Sequence, residues 1–151
     1  MPLQNIQYRE IVDQFQQACD EHLSISSFDS GTLDYLDASA VNRIYPFVYL
    51  RPLSAVLVDK QRTLGVELYV LDQPKIKSQS NIDVVSNTEM YLYDIMAWFN
   101  FGPAERQQTY DVQLANAAPV NEAFQDRVYG WVGTLDIITP FKLDFCDYPK
   151  Q

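Results

Sequence analysis

His22, the only histidine of the chain, and its two cysteines, Cys19 and Cys146, have the widest chemical reach of any residues here. A catalytic thiolate would need one cysteine beside His22. Cys19 stands three residues before it on one predicted helix face, but that face is the core stripe, where a buried thiol is inert. A metal reading would need carboxylates converging on His22. Asp20 and Glu21, its near neighbours in sequence, point elsewhere on a helix. His22 therefore reads as a helix C-terminal residue, a position the macrodipole favours.

The carboxylates are numerous but scattered. Asp34 and Asp37 are three apart, as are Asp144 and Asp147, yet neither pair has the glycine-centred context of a calcium loop. Asp136 interrupts the apolar run Leu135, Ile137, Ile138 and should face water or pair across a sheet. No G-x-S-x-G elbow, H-E-x-x-H pair or P-loop occurs, and five glycines leave little to cradle a phosphate. The expectation is a protein that is not an enzyme, with no catalytic residues, no cofactor and no metal.

Composition narrows the partners. The 151 residues carry 11 basic against 20 acidic side chains, a net charge of −9. Phosphate binding by bulk charge needs clustered Lys and Arg, so non-specific nucleic-acid binding is disfavoured, and anionic membrane surfaces with it. No signal peptide and no run of about 18 apolar residues is apparent, so no membrane span is expected. Two cysteines without a spacing pattern point to reduced thiols in a cytosolic setting. A chain of this length buries roughly 70% of its unfolded surface, enough for one domain over residues 1–151.

The elements that must position these residues follow from periodicity. Tyr8, Ile11, Val12, Phe15, Ala18, Cys19 and His22 recur at helical steps, with Pro2 and Asn5 as start signals. Residues 24–31 (SISSFDSG) should break the helix, and residues 32–37 (TLDYLD) suit a short strand. Residues 44–50 (IYPFVYL) form an aromatic, β-branched strand bounded by Pro52. Residues 53–58 and 63–71 flank a polar four-residue connection, Asp59, Lys60, Gln61 and Arg62, and read as a β-hairpin. In its second strand Leu64, Val66, Leu68 and Val70 face one way.

A polar connection with the basic pair Lys75 and Lys77 leads to a helix over residues 81–100. Its stripe is Val84, Val85, Thr88, Tyr91, Leu92, Ile95, Trp98 and Phe99, with Ser80 as cap and Gly102-Pro103 as stop. Tyr110, Val112 and Leu114 then alternate in a strand, a polar Pro-containing stretch follows, and residues 127–139 form a long closing strand. Within it, Gly130 and Gly133 flank Trp131-Val132 and mark a bulge or a close backbone approach. Pro140 ends the strand, and an extended tail over residues 141–151 docks through Phe141, Phe145 and Tyr148. Without strict βαβ alternation, this order implies an α+β fold: a mainly antiparallel sheet with a long β-hairpin and two helices packed on one face.

Ten tyrosines, eight phenylalanines and two tryptophans exceed what one small core needs. Tyr45, Tyr49, Tyr69, Tyr93 and Tyr129 fall outside the stripes. They are either half-buried packing or anchors of a protein–protein surface. The residues expected at an oligomer or partner interface are Asp59, Lys60, Gln61, Arg62, Lys75, Lys77, Phe141, Phe145 and Tyr148.

The layout resembles the tail-terminator, tail-completion and head–tail neck-ring proteins of tailed bacteriophages. The pieces that carry the likeness are Tyr45-Pro46-Phe47-Val48-Tyr49-Leu50, the hairpin to Leu71, the helix around Trp98 and the terminal strand. The stretch containing Gly130-Trp131, Pro140 and Asp144-Phe145-Cys146-Asp147-Tyr148-Pro149 also resembles the closing motif of small virion proteins of crAss-like phages. The resemblance implies a structural virion protein made in the host cytoplasm. It would form a homo-oligomeric ring of six- or twelve-fold symmetry, as a connector, tail terminator or neck protein. Its partners would be neighbouring portal, connector or tail proteins, and DNA would pass through the conduit without specific binding. The competing expectation is a small intracellular α+β adaptor or a ligand-binding domain with a pocket lined by Tyr91, Trp98 and Trp131.

Overall fold

A computed structural model of the chain describes residues 5–32, 36, 43–74, 81–102, 110–123, 127–144, 146, 148 and 149. The elements run α1 (Tyr8–Glu21), β1 (Ser27–Ser30), β2 (Phe47–Val58), β3 (Gln61–Asp72), α2 (Ile82–Phe101), β4 (Asp111–Ala123) and β5 (Val128–Pro140). The strands form one sheet in the order β1-β2-β3-β5-β4, antiparallel throughout except for the β1–β2 pair. The expected α+β class is what the chain adopts.

Alternation of side chains gives the sheet two different faces. On one, Val48, Leu50, Leu64, Val66, Leu68, Val70, Leu135 and Ile137 form a single cluster with residues of both helices. From α1 it takes Ile11, Phe15, Ala18 and Cys19, and from α2 Leu92, Ile95, Met96 and Phe99. Phe15 and Phe99 meet at its centre with ring centroids 4.5 Å apart. The other face carries a smaller cluster of Leu36, Phe47, Tyr49, Tyr69, Leu71 and Val128, flanked by Tyr45, Val120 and Val132. Three of the five tyrosines outside the periodic stripes, Tyr45, Tyr49 and Tyr69, thus belong to a second core that amphipathic periodicity could not reveal.

Several boundaries differ from expectation. The first strand is residues 27–30, inside the stretch expected to be irregular, and it pairs in parallel with β2 from Ser27↔Phe47 to Ser30↔Leu50. Its small polar residues gave no strand signal because the pairing comes from its neighbour. The strand expected over residues 32–37 is not formed at the two described positions: the Leu36 N–H donates to the Thr32 carbonyl, a helical bond. The rest of that segment lies outside the described residues.

β2 does not stop at Pro52. It runs on to Val58 through a bulge between Pro52 and Ser54. An edge position tolerates a proline because the missing N–H would have faced outward. The hairpin connection is two residues, not four: Asp59 and Lys60 have φ of 48° and 52°, the left-handed pair of a type I′ turn, and Gln61 already pairs with Val58. β4 likewise continues through Pro119 to Ala123, where a polar connection was expected, with bulges at Leu114/Asn116 and Val120/Ala123.

Helix ends differ too. Asn5 does not cap α1, which starts at Tyr8 with Gln7 making no side-chain cap bond. Ser80 lies outside the described residues. Gly102 ends α2 in an extended conformation rather than a left-handed turn. A Cβ there would stand 2.5 Å from the Trp98 carbonyl oxygen, so close approach is what demands glycine.

Gly130 is the tightest point of the sheet. Its φ is 156°, and a Cβ would lie 1.9 Å from the Val70 carbonyl oxygen and 3.1 Å from Leu71 Cα. The close backbone approach anticipated from the sequence is therefore present, without a bulge in the β3–β5 register. Trp131 beside it is half-buried against the main cluster and donates its indole N–H to the Val85 carbonyl at 2.8 Å. Gly130→Ala should cost roughly 2–5 kcal/mol, combining overpacking with backbone strain. Trp131→Ala should cost about 2–4 kcal/mol, below a full core deletion because the ring is only partly enclosed. Urea unfolding midpoints of the two variants check both values.

Candidate functional site

Several residues singled out as interface candidates converge at one end of the sheet. The hairpin turn projects Asp59, Lys60 and Gln61 into solvent, while Arg62 on β3 turns back toward the termini. Its Nη2 donates to the Ile6 carbonyl at 2.5 Å, and its guanidinium lies over the Phe141 ring at 4.8 Å. Burial pulls the Arg62 pKa below its ordinary value. The backbone completes the arrangement: Phe141 N–H donates to the Lys60 carbonyl at 2.9 Å. Asn5 then clasps Lys142 from both sides. Its Oδ1 accepts from the Lys142 N–H at 2.8 Å, and its Nδ2 donates to the Lys142 carbonyl at 2.7 Å.

The N-terminal approach to α1, the hairpin tip and the start of the tail are thus one structural unit. Arg62 and Phe141, both half-buried, hold it together from within the subunit. Asp59, Lys60 and Gln61 remain outward. Tyr148 is exposed and far along the tail. Lys75, Lys77 and Phe145 lie outside the described residues.

The chemistry-bearing residues are not gathered there. His22 sits at the C-terminus of α1, and its Nε2 lies 2.8 Å from Asp94 Oδ2 on α2. The Ser24 N–H donates to Nδ1 at 3.0 Å. An acceptor at Nδ1 fixes the proton on Nε2, which donates to Asp94. The Tyr91 ring stands edge-on to the imidazole at 5.2 Å. Next to it the Trp98 indole N–H donates to Glu21 Oε2 at 2.8 Å. The sequence located His22 at a helix end but could not see Asp94, 72 residues away. These contacts fasten α1 to α2.

Tyr91, Trp98 and Trp131, the expected pocket lining, are all packed against the main cluster. Both indole N–H groups serve as structural donors, to Glu21 and to Val85. Cys19 is buried, and desolvation together with the nearby Asp20 pushes its thiol up to about 12. A thiol so placed stays protonated and unreactive near neutral pH. Asp136 is half-buried, opposite Gly65 on β3 and Gln113 on β4. Among the described residues, no group of three or more His, Cys, Asp or Glu side chains comes together to hold a metal.

A second polar feature lies on the sheet face that carries the smaller cluster. Arg51 Nη1 donates to Glu67 Oε1 at 2.5 Å, and Tyr69 OH donates to Glu67 Oε2 at 3.3 Å. Tyr69 belongs to the smaller core, and Arg51 and Glu67 pair next to it on β2 and β3. Among the described residues, no helix is long and apolar enough to cross a membrane.

Cys146 is exposed, so the folded protein should release colour from a thiol reagent for one cysteine at pH 8 and for both in denaturant. The raised Cys19 value also sets a sign. The folded state keeps a proton that the unfolded chain loses above its ordinary value of 9.0, so this contribution to stability is complete below pH 9 and declines as pH rises toward 12. Cys19→Ala should flatten that alkaline decline in melting temperature. His22→Ala should cost about 1 kcal/mol through the loss of the Asp94 and Ser24 bonds, read from the same melting curves. No protein-family model matches this chain, and no curated protein matches it.

Proposed function

We propose that the chain is a non-enzymatic structural subunit of a bacteriophage virion, assembling as a homo-oligomeric ring at the head–tail junction or in the tail. The observation that carries this reading is the element order, α1-β1-β2-β3-α2-β4-β5 with a hairpin of two twelve-residue strands. The first helix, hairpin, second helix and two closing strands named in the resemblance to tail-terminator and neck-ring proteins recur in it, with β1 as an additional strand and the Tyr45–Leu50 segment leading into the first hairpin strand. A ring subunit needs two lateral surfaces related by a rotation that closes. Here the two ends of the sheet and the exposed Asp59-Lys60-Gln61 tip are available for such contacts. A net charge of −9 suits a conduit that passes DNA without holding it, since acidic walls repel phosphates. Portal, connector or tail proteins of the same particle would be the axial neighbours.

Light scattering of the purified protein across a tenfold concentration range tests the reading. A discrete ring-sized mass, with annular particles by negative-stain microscopy, is the expected outcome. A strict monomer that also fails to join portal or tail proteins when mixed with them would overturn it. If that monomer's melting temperature rises with a small molecule or an extended peptide, the ligand-binding or adaptor reading takes its place.

A further inference from the structure

β1 covers β2 only from Phe47 to Leu50, and beyond it no described strand pairs with the outer edge of β2. That outer half is apolar and open to solvent. Leu53 and Leu57 are 45% exposed, Val56 55% and Val58 60%. From Pro52 to Val58 there is no charged residue. An exposed hydrophobic strand edge of this kind is a template for another strand, and proteins normally blunt such edges. The opposite edge, β4, is blunted: it presents Asp111, Gln113, Asn116 and Pro119 to solvent and is interrupted by two bulges.

The register shows which peptide groups face outward. The two-residue turn makes Val58 and Gln61 a hydrogen-bonded pair, so Val58 and Val56 direct their peptide groups at β3. Ala55 and Leu57, between them, direct theirs away from the sheet. We propose that this edge, residues 54–58, is a docking site for the same edge of a second copy of the chain. The two strands would run antiparallel about a two-fold axis through Val56. Ala55 of each copy then exchanges main-chain hydrogen bonds with Leu57 of the other, and Val56 meets its own counterpart.

Self-pairing is favoured by what the edge offers. It is apolar on both faces, and β2 supplies the matching surface where β4 would set Gln113 or Asp111 against the valines. Each copy carries a net charge of −9, so two copies approach best where charge is absent. The pairing also brings the Asp59-Lys60 turn of each copy to the level of the Arg51–Glu67 pair of the other, giving charges of both signs on both sides. A two-fold contact closes on itself, so this inference does not depend on the ring reading.

Two opposed residues of a non-hydrogen-bonded antiparallel pair have Cα atoms about 4.5 Å apart, within disulfide range. Val56→Cys in a Cys146→Ser background should therefore cross-link to a covalent dimer under mild oxidation. Gln113→Cys on the β4 edge should not. Light scattering should show at least a dimer for the parent, and Val56→Lys should halve the mass of that dimer while leaving the circular dichroism unchanged. A cross-link that forms only when Val56→Cys and Gln113→Cys chains are mixed would overturn the two-fold pairing in favour of a head-to-tail contact. A monomeric parent with no cross-link would overturn it outright. A ring-sized parent that survives Val56→Lys without a Val56→Cys cross-link would leave the ring standing and remove this contact.

Discussion

The architecture hangs on β3. It lies between β2 and β5 and is hydrogen-bonded on both sides along its length. One of its faces, Leu64, Val66, Leu68 and Val70, closes the main core, while Tyr69 and Leu71 on the other belong to the smaller one. A one-residue slip of this strand would exchange the two faces and break both clusters at once. Gly130 pins the register against β5, because only glycine admits the Val70 carbonyl so closely and adopts the φ that the strand requires there.

The remaining elements take their positions from that strand. α2 lies over β3, β5 and β4, with Leu92, Ile95, Met96 and Phe99 in the main cluster, and the Trp131 indole ties β5 to the Val85 carbonyl. α1 reaches the same cluster through Phe15, and its C-terminus is held by the His22–Asp94 and Glu21–Trp98 contacts. At the far end, Arg62 on β3 gathers the N-terminal approach and the start of the tail. His22, Trp98, Trp131 and Arg62, the side chains with the most chemical or binding potential, are all engaged in joining elements. Among the described residues, the turn at Asp59 and Lys60 and the apolar outer half of β2 are exposed.

That distribution bears on function. Cys19 lies deep in the core, far above its ordinary pKa, and the His22 imidazole is occupied on both nitrogens. Neither is arranged as a nucleophile or base with an open position before it. Exposed apolar strand surface has instead an energetic reason to find a partner, since its peptide groups and its Val and Leu side chains are satisfied together by one added strand. The proposed assembling subunit is compatible with both features.

The sequence by itself determined the class and most elements. Helical spacing in residues 8–21 and 82–101 and the alternation Leu64, Val66, Leu68, Val70 are local patterns imposed by burying one face, and burial leaves a readable period. The glycine at 130 was legible because a strand has few other uses for one. What depended on distant partners was not legible. β1 is a strand only because β2 lies beside it. The second core draws Leu36, Tyr49 and Val128 from three separate segments, and Asp94 reaches His22 from another helix. Pro52 and Pro119 read as terminators, yet at sheet edges a missing outward N–H costs nothing, and whether a strand lies at an edge is settled only when the whole sheet has formed.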